Sequence, residues 1–199
     1  MTSAYRLVFV SCLAIANLFV YAQDPTIGRV AERVATSIKA GAHFQLFEPF
    51  TLEVGNASLV KAVREEVRAG TLLELRTDVV AELLTAAPEH LSMRIPVEGG
   101  FVQLDLVRVN ILAPGFVAMK TSSTMPVTLP QALHYRGIIS GDAHSLVAIS
   151  VFTNGIMGII GDDTGDRVLG GLKGGEDTHI FYAERDLVAA NNAHCFTQE

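Results

Sequence analysis

Residues 134–160 read HYRGIISGDAHSLVAISVFTNGIMGII, and this stretch decides the fold. Apolar residues alternate with polar or small ones along it, and short glycine-containing turns interrupt the alternation. A period of two is typical of strands that bury one face, and glycine supplies the positive φ angles that tight turns need. The stretch therefore predicts consecutive antiparallel strands over 134–139, 145–152 and 156–160.

The same alternation continues on both sides of this stretch. Upstream, residues 90–97 and 101–109 alternate around the turn 98–100, which predicts a hairpin with one apolar face. Downstream, residues 167–172 and 179–183 are two further strand candidates. The segment 114–130 is less regular and is interpreted as a linking region. From residue 90 onward, the sequence therefore predicts a mainly antiparallel meander.

The first part of the chain has a helical period instead. Its clearest apolar face consists of Ile27, Val30, Val34 and Ile38, with Asp24 and Pro25 suited to the helix start and Gly41 suited to its end. Two further helices are predicted, one that ends at Gly70 and one that Thr77 caps and Pro88 ends.

Between these helices lie two segments of β-forming residues, 43–54 and 72–76, and Pro49 breaks the first or marks a sheet edge. We predict an α+β fold in which N-terminal helices, in a helical part over about 23–90, pack on a mainly antiparallel β-sheet or meander over about 91–187. A tail over 188–199 contains a cysteine.

Residues 1–22 have the pattern of a secretory signal peptide. Arg6 is their only charge, an apolar run follows over 7–20, and small residues at −3 and −1 predict cleavage between Ala22 and Gln23. A transmembrane interpretation is weaker, because the run is shorter than the ~20 residues that a bilayer requires. We therefore expect a secreted or periplasmic protein with no stable membrane anchor.

Composition excludes two classes of protein. The 199 residues include 49% hydrophobic ones, which excludes a disordered polyampholyte. The 15 basic and 21 acidic residues give a net charge of −6, which argues against a nucleic-acid partner because phosphates would not be neutralised.

Recognisable catalytic motifs are missing, so we expect no enzyme activity. There is no HExxH, no phosphate-binding glycine motif and no CxxC pair. The acidic run 162–166 lacks the spacing of a calcium loop and is interpreted as a hairpin tip. Asp142 beside His144 is left as an alternative acid–base pair, the other histidines are dispersed and interpreted as structural, and Asn56 begins a glycosylation sequon.

The ordered C-terminal motifs resemble one family. These motifs are HYRG at 134–137, Gly141, SLVAIS at 145–150, GIMGII at 155–160, HIFY at 179–182 and Asp186-Leu187. The series is similar to the propeptide domain of reprolysin-like (adamalysin or ADAM-type) zinc metalloproteases, in a form that looks bacterial. The resemblance covers roughly residues 70–199. The same motifs also fit a β-meander that has no connection with a protease.

The resemblance implies a non-catalytic domain that keeps a protease domain latent and assists its folding. In many family members a cysteine near the end of the propeptide ligates the catalytic zinc, and here Cys195 is the candidate ligand, in trans to the zinc of a partner. Cys195 precedes Phe196, where animal members usually have glycine. The chain would need no cofactor of its own, and because the family's catalytic domain would follow Glu199, we expect a fragment, a truncated gene product or a stand-alone propeptide.

Other interpretations of Cys195 and of the whole chain remain open. After signal cleavage Cys195 is the single cysteine, and an unpaired cysteine in an exported protein indicates a reactive thiol, a metal ligand or an intermolecular disulfide. A disulfide dimer through Cys195 is therefore one alternative, and a spectator residue is another. The alternative function is a stand-alone secreted β-rich binding or adhesion module without a protease partner.

Overall fold

The computed structural model describes residues 25–53, 57–120, 125–173, 175 and 177–188. In these ranges, ten strands form one sheet and three α-helices accompany it. The α-helices are α1 (Pro25–Lys39), α2 (Ala57–Glu66) and α3 (Thr77–Ala86), and a 3-10 helix spans Glu184–Asp186. The strands are β1 (Gln45–Phe47), β2 (Phe50–Leu52), β3 (Thr71–Leu75), β4 (His90–Val97), β5 (Gly100–Val109), β6 (Ala132–Ile139), β7 (Leu146–Phe152), β8 (Gly155–Asp162), β9 (Gly165–Gly171) and β10 (Thr178–Ala183).

The strand order makes the sheet curl. The order is β1-β4-β5-β6-β7-β8-β9-β10-β3-β2, so β1 and β2 are the two edge strands. Only Glu48 and Pro49 separate them in the chain. Two edges joined by two residues must lie close together, so the sheet curves into a half-closed shape with a concave and a convex face. Proline has no backbone donor, which suits it to an edge, as the sequence predicted for Pro49.

The prediction of an α+β fold with N-terminal helices packed on a sheet is wrong. The described part of the chain is mostly β, and its helices do not form a separate layer. Strands from the expected helical part extend the sheet at both ends, because β1 pairs with β4 in parallel and β3 pairs with β10 and β2. The sequence showed the helical periods. It did not show how β1 and β3 would pair, because their partner strands lie far away along the chain.

The concave face encloses α3. Val79, Val80, Leu83 and Leu84 of this helix are buried in one cluster with the inward side chains of the strands. The fully buried strand residues of the cluster are Leu73, Leu91, Met93, Ile95, Leu104, Leu106, Val147, Val151 and Ile160. The sheet is therefore wrapped around a helix, and burial of these apolar side chains stabilises the curl.

The helix ends agree only partly with the sequence. Gly41 has φ +76° and its N–H donates to Ile38 O, and Ala87 in the left-handed conformation ends α3 before Pro88, as predicted. However, Thr77 is the first residue of α3 and not its cap. Ile38 is 53% exposed whereas Val34 is fully buried, so the buried face of α1 ends earlier than its period suggested.

The meander follows the predicted alternation closely. Ile149 pairs with Tyr135 on one side and Gly158 on the other, and all three face the core. The Tyr135 hydroxyl donates to Pro88 O at 3.0 Å, and burial raises the pKa of Tyr135 to about 12. This hydroxyl thus joins the centre of the sheet to the end of α3.

Two glycines of the meander are required by close packing. A Cβ at Gly137 would lie 2.0 Å from Asp105 O, and one at Gly158 would lie 2.3 Å from the Ile149 Cδ1 atom. Gly155 is crowded as well, by the His179 ring, since a Cβ there would lie 3.1 Å from His179 Nε2.

We expect Gly137→Ala to lower the free energy of unfolding by about 1–3 kcal/mol, because the new methyl group meets backbone that cannot rotate away. Gly100→Ala is the matched control, since a Cβ there meets nothing within 4 Å. The control should change the free energy by no more than about 0.5 kcal/mol. Urea denaturation measures both, and equal effects of the two variants would contradict the packing explanation.

Candidate functional site

The chain leaves the sheet after β10 at a firmly held position, which we call the C-terminal exit (residues 184–188). The Val188 N–H donates to Glu66 O at 2.7 Å, and the Arg68 N–H donates to Asp186 O at 2.7 Å. Leu187 also forms an isolated antiparallel bridge with Val67. These backbone bonds fix the exit against the end of α2.

A side chain joins the exit to the β8–β9 turn. Arg185 Nη1 donates to Thr164 O at 2.9 Å, and Thr164 lies in the turn between these strands. The exit is therefore held at the end of the sheet where β8 turns into β9.

Cys195, the predicted zinc ligand, lies outside the described residues. It follows Val188 by seven positions in the sequence. An extended chain spans at most ~3.3–3.6 Å per residue, so the Cys195 backbone can lie no more than about 25 Å from Val188. The predicted signal cleavage site at Ala22 and Gln23, and the sequon at Asn56, also lie outside the described residues.

The convex face is covered by helices on two sides. α1 packs on β5 and β6, where Ala31, Val34, Val107 and Ile138 form a second buried cluster. α2 lies beside β3, where its Val63 lines the same groove as Leu72. The outward side chains of β7, β8 and β9 lie between these two helices.

Five apolar side chains among them form what we call the convex patch: Leu146, Ala148, Met157, Ile159 and Val168. Ser150 lies beside Met157 on the same face. Ala148 pairs with Ile159, and Ile159 pairs with Val168, so three of them form one row across the strands. Ile159 is 56% exposed and Met157 is 53% exposed. The solvent face of an antiparallel sheet is normally polar, so an apolar one indicates an interaction surface.

Polar groups border the convex patch at one end. His144, Asp162 and Asp166 line a shallow groove of about 390 Å³ together with Leu146 and Ile159. Gly161 pairs with Leu146 and with Asp166, so this groove lies beside the β8–β9 turn. The polar border and the C-terminal exit therefore lie at the same end of the sheet.

The acidic run 162–166 forms the tip of the β8–β9 hairpin, as predicted. Asp162 Oδ1 accepts the Thr164 N–H at 2.8 Å, and Oδ2 accepts a hydrogen bond from Arg167 Nη1 at 2.8 Å. The Thr164 hydroxyl first, and Arg167 in addition, hold the pKa of Asp162 below its usual value. Among the described residues, no three side chains of His, Cys, Asp or Glu are grouped as a metal site.

Asp142 and His144, the alternative acid–base pair, lie together in the β6–β7 turn. Asp142 Oδ1 accepts the backbone N–H of His144 at 2.9 Å. Ser145 completes the turn, since its fully buried hydroxyl donates to Asp142 O and accepts the Ile139 N–H. In this geometry the Asp142 carboxylate organises a turn.

Three histidines beside strands have structural partners, as predicted. His90 Nε2 lies 2.9 Å from Ser37 Oγ, and His134 Nδ1 lies 2.9 Å from Ser150 Oγ. His179, the third, is 2% exposed.

His179 links three strands. Its Nε2 accepts the Ile156 N–H at 3.2 Å, so Nδ1 must carry the proton and donate to Asp177 O, also at 3.2 Å. Its ring centroid lies 5.3 Å from that of Phe50. The imidazole is therefore neutral and connects β10 with β8 and β2. Burial lowers the pKa of His179.

The connection between β5 and β6, which we call the β5–β6 arm (residues 110–131), is a second exposed apolar feature. It contains one charged residue, Lys120. The Val127 N–H donates to Ala118 O, and Met119 forms an isolated antiparallel bridge with Pro126. Its exposed large apolar residues are Ile111, Leu112, Phe116, Val117, Met119, Met125 and Leu129.

The arm and the C-terminal exit lie at opposite ends of the sheet. The arm enters β6 at Ala132, which pairs with Phe152 at the far end of β7. The sequence interpreted this segment only as a linker. Its exposure could not be read from the sequence, because an apolar loop is equally compatible with burial.

Comparison with known proteins gives no relative: the chain matches no family model, no curated protein and no solved structure. The resemblance to reprolysin-like propeptides therefore stays a prediction. Within the described residues, no helix has the length and apolar character to span a bilayer.

We expect the free energy of unfolding to fall as the pH drops through about 6.5, the usual histidine pKa in an unfolded chain. The folded state holds His179 neutral with a lowered pKa, so the unfolded state binds the proton more readily in that range. Urea denaturation at pH 7.5 and pH 5 measures the difference.

His179→Gln should lose much of this pH dependence, whereas His43→Gln, which changes an exposed histidine, should retain it. If wild type and His179→Gln lose stability in parallel as the pH falls, the buried imidazole is not the cause.

Proposed function

We propose that this chain is an exported, non-catalytic propeptide-like domain that keeps a reprolysin-type zinc metalloprotease latent and assists its folding. The motifs that carry the resemblance support this proposal, because those on β6, β7, β8 and β10 belong to one sheet. Tyr135 and Gly137 pack in the concave core, Gly158 packs against Ile149, and His179 joins three strands. The motif series thus has the order and spacing of one folded unit.

The observation that carries the proposal is the anchored C-terminal exit. Backbone hydrogen bonds hold Val188 and Asp186 on the sheet, and the single cysteine of the predicted mature chain follows within about 25 Å. A thiol on a short tether acts at a high effective concentration once the folded body has bound its partner. The body would supply recognition, and Cys195 would supply the ligand.

In this arrangement, Cys195 would occupy the open coordination position of the partner's zinc. A catalytic zinc has three protein ligands and keeps a fourth position for the water that attacks the substrate. The Cys195 thiolate, a soft ligand, would take that fourth position and exclude the water. The zinc would belong to the partner, and this chain would contribute the sulfur and the surface that positions it.

We expect the mature chain to inhibit a purified reprolysin-type catalytic domain, and Cys195→Ser to raise the half-inhibitory concentration at least about tenfold, because the tethered ligand is lost. Thr197→Ala, in the same tail, is the matched control and should inhibit like wild type. Peptide hydrolysis measured with the thiol kept reduced gives the concentrations.

Two outcomes would count against this function. One is the absence of inhibition and of any complex with the wild-type chain across a panel of such catalytic domains. The other is equal inhibition by wild type and Cys195→Ser, which would remove Cys195 from the mechanism and leave only a surface-based inhibitor. Non-reducing electrophoresis in the same samples tests the alternative of a disulfide dimer through Cys195.

The β5–β6 arm favours a second function, that of a secreted binding module without a protease partner. Its seven exposed large apolar side chains lie at the end of the sheet opposite the C-terminal exit. A module of this kind would bind its partner through the arm, and Cys195→Ser would leave binding unchanged while Ile111→Asp would weaken it.

A further inference from the structure

We infer that the convex patch is the surface on which the protease domain docks, an inference that rests on the proposed function and names the contact surface of that complex. The patch consists of Leu146, Ala148, Met157, Ile159 and Val168. Three independent features of the structure support this assignment: the polarity of the sheet faces, the position of the exit and the charge of the border.

The first feature is that both faces of the central strands are apolar. Ile156 and Ile160 are buried in the concave core, whereas Met157 and Ile159 on the same strand are more than half exposed. Over β5 and β6 the convex face includes the apolar residues Val107 and Ile138, and there α1 covers them. On the convex face of β8, by contrast, Met157 and Ile159 stay exposed among the described residues, which makes them available to a partner.

The second feature is the position of the exit. Arg185 ties the exit to Thr164 in the β8–β9 turn, and the patch begins on these two strands. The patch is three strands wide, and neighbouring strands lie about 4.8 Å apart, so its far side is about 10 Å from β9. A domain that receives Cys195 within about 25 Å of Val188 therefore lies at the end of the sheet where the patch begins.

The third feature is the charge around the patch. Asp162 and Asp166 border its groove, Asp163 lies in the adjoining turn, and His144 is the neighbouring titratable side chain. An apolar centre with a polar, charged rim is the usual anatomy of a protein–protein interface. Asp162 is paired with Arg167, so Asp163 and Asp166 are the carboxylates of this border that predict basic residues on the part of the catalytic domain facing them.

The test is a pair of matched substitutions. Ile159→Asp places a charge in the patch, and Ile111→Asp makes the same change in the β5–β6 arm, where the original side chain is equally exposed, 54% against 56%. The probe is the purified reprolysin-type catalytic domain that the wild-type chain inhibits most strongly. We expect Ile159→Asp to raise the dissociation constant at least about tenfold and Ile111→Asp to change it less than about twofold.

A folding control and a cross-linking experiment accompany the two substitutions. Both variants should retain the wild-type urea midpoint, since both side chains point into solvent. A photo-reactive amino acid at Met157 should cross-link to the catalytic domain, and one at Phe116 in the arm should not. The cross-linking experiment remains informative if Ile159→Asp fails to fold.

Each other outcome overturns the inference in a recognisable way. Equal binding by wild type and Ile159→Asp, with no cross-link from Met157, leaves the proposed function standing and removes the patch from it. Weaker binding by Ile111→Asp alone assigns docking to the arm. A wild-type dimer that Ile159→Asp converts to a monomer without loss of inhibition makes the patch a self-association surface. If no catalytic domain binds the wild-type chain, the proposed function itself fails.

Discussion

The structure depends on one short connection, the two residues between Phe47 and Phe50. Because this connection joins the two edge strands of a ten-stranded sheet, the sheet must curl until those edges lie close together. Phe47 and Phe50 are both buried in the concave core, and Pro49 O accepts the Arg76 N–H at 2.8 Å next to the start of α3. The connection therefore fixes the curvature and the position of the enclosed helix together.

The curl also organises the outer surface. A curved sheet has one face that its own core fills and one face that is either solvated or covered from outside. α1 covers β5 and β6, and α2 lies beside β3. The outward side chains of β7–β9 therefore remain accessible to a binding partner. The anchored exit lies at one end of that surface and the apolar β5–β6 arm at the other. The proposed function uses the first end, and the alternative binding module would use the second.

The residues that make the sequence recognisable have structural roles in this fold. Gly137 and Gly158 allow neighbouring strands and side chains to approach, Tyr135 joins the sheet to α3, and His179 joins three strands. A motif made of such residues is stronger evidence for a fold than for an activity. For this reason the proposed function depends on the exit, on Cys195 and on the exposed surface, and these are the parts for which binding experiments are required.

The sequence by itself determined the local structure: the alternating strands from residue 90 onward, their glycine turns, the helix end at Gly41, the edge position of Pro49 and the hydrogen-bonded histidines. These features follow from sterics and side-chain period within a few residues. The α+β layer, the Thr77 cap and the buried position of Ile38 were wrong, and the convex patch, the His179 link and the anchored exit were not foreseen. Only the tertiary structure decided them, because each depends on which distant strand becomes a neighbour. Strands choose their neighbours through backbone hydrogen bonds, and these leave no periodic pattern of side chains from which the choice could be predicted. The signal peptide and the role of Cys195 remain predictions, since both lie outside the described residues.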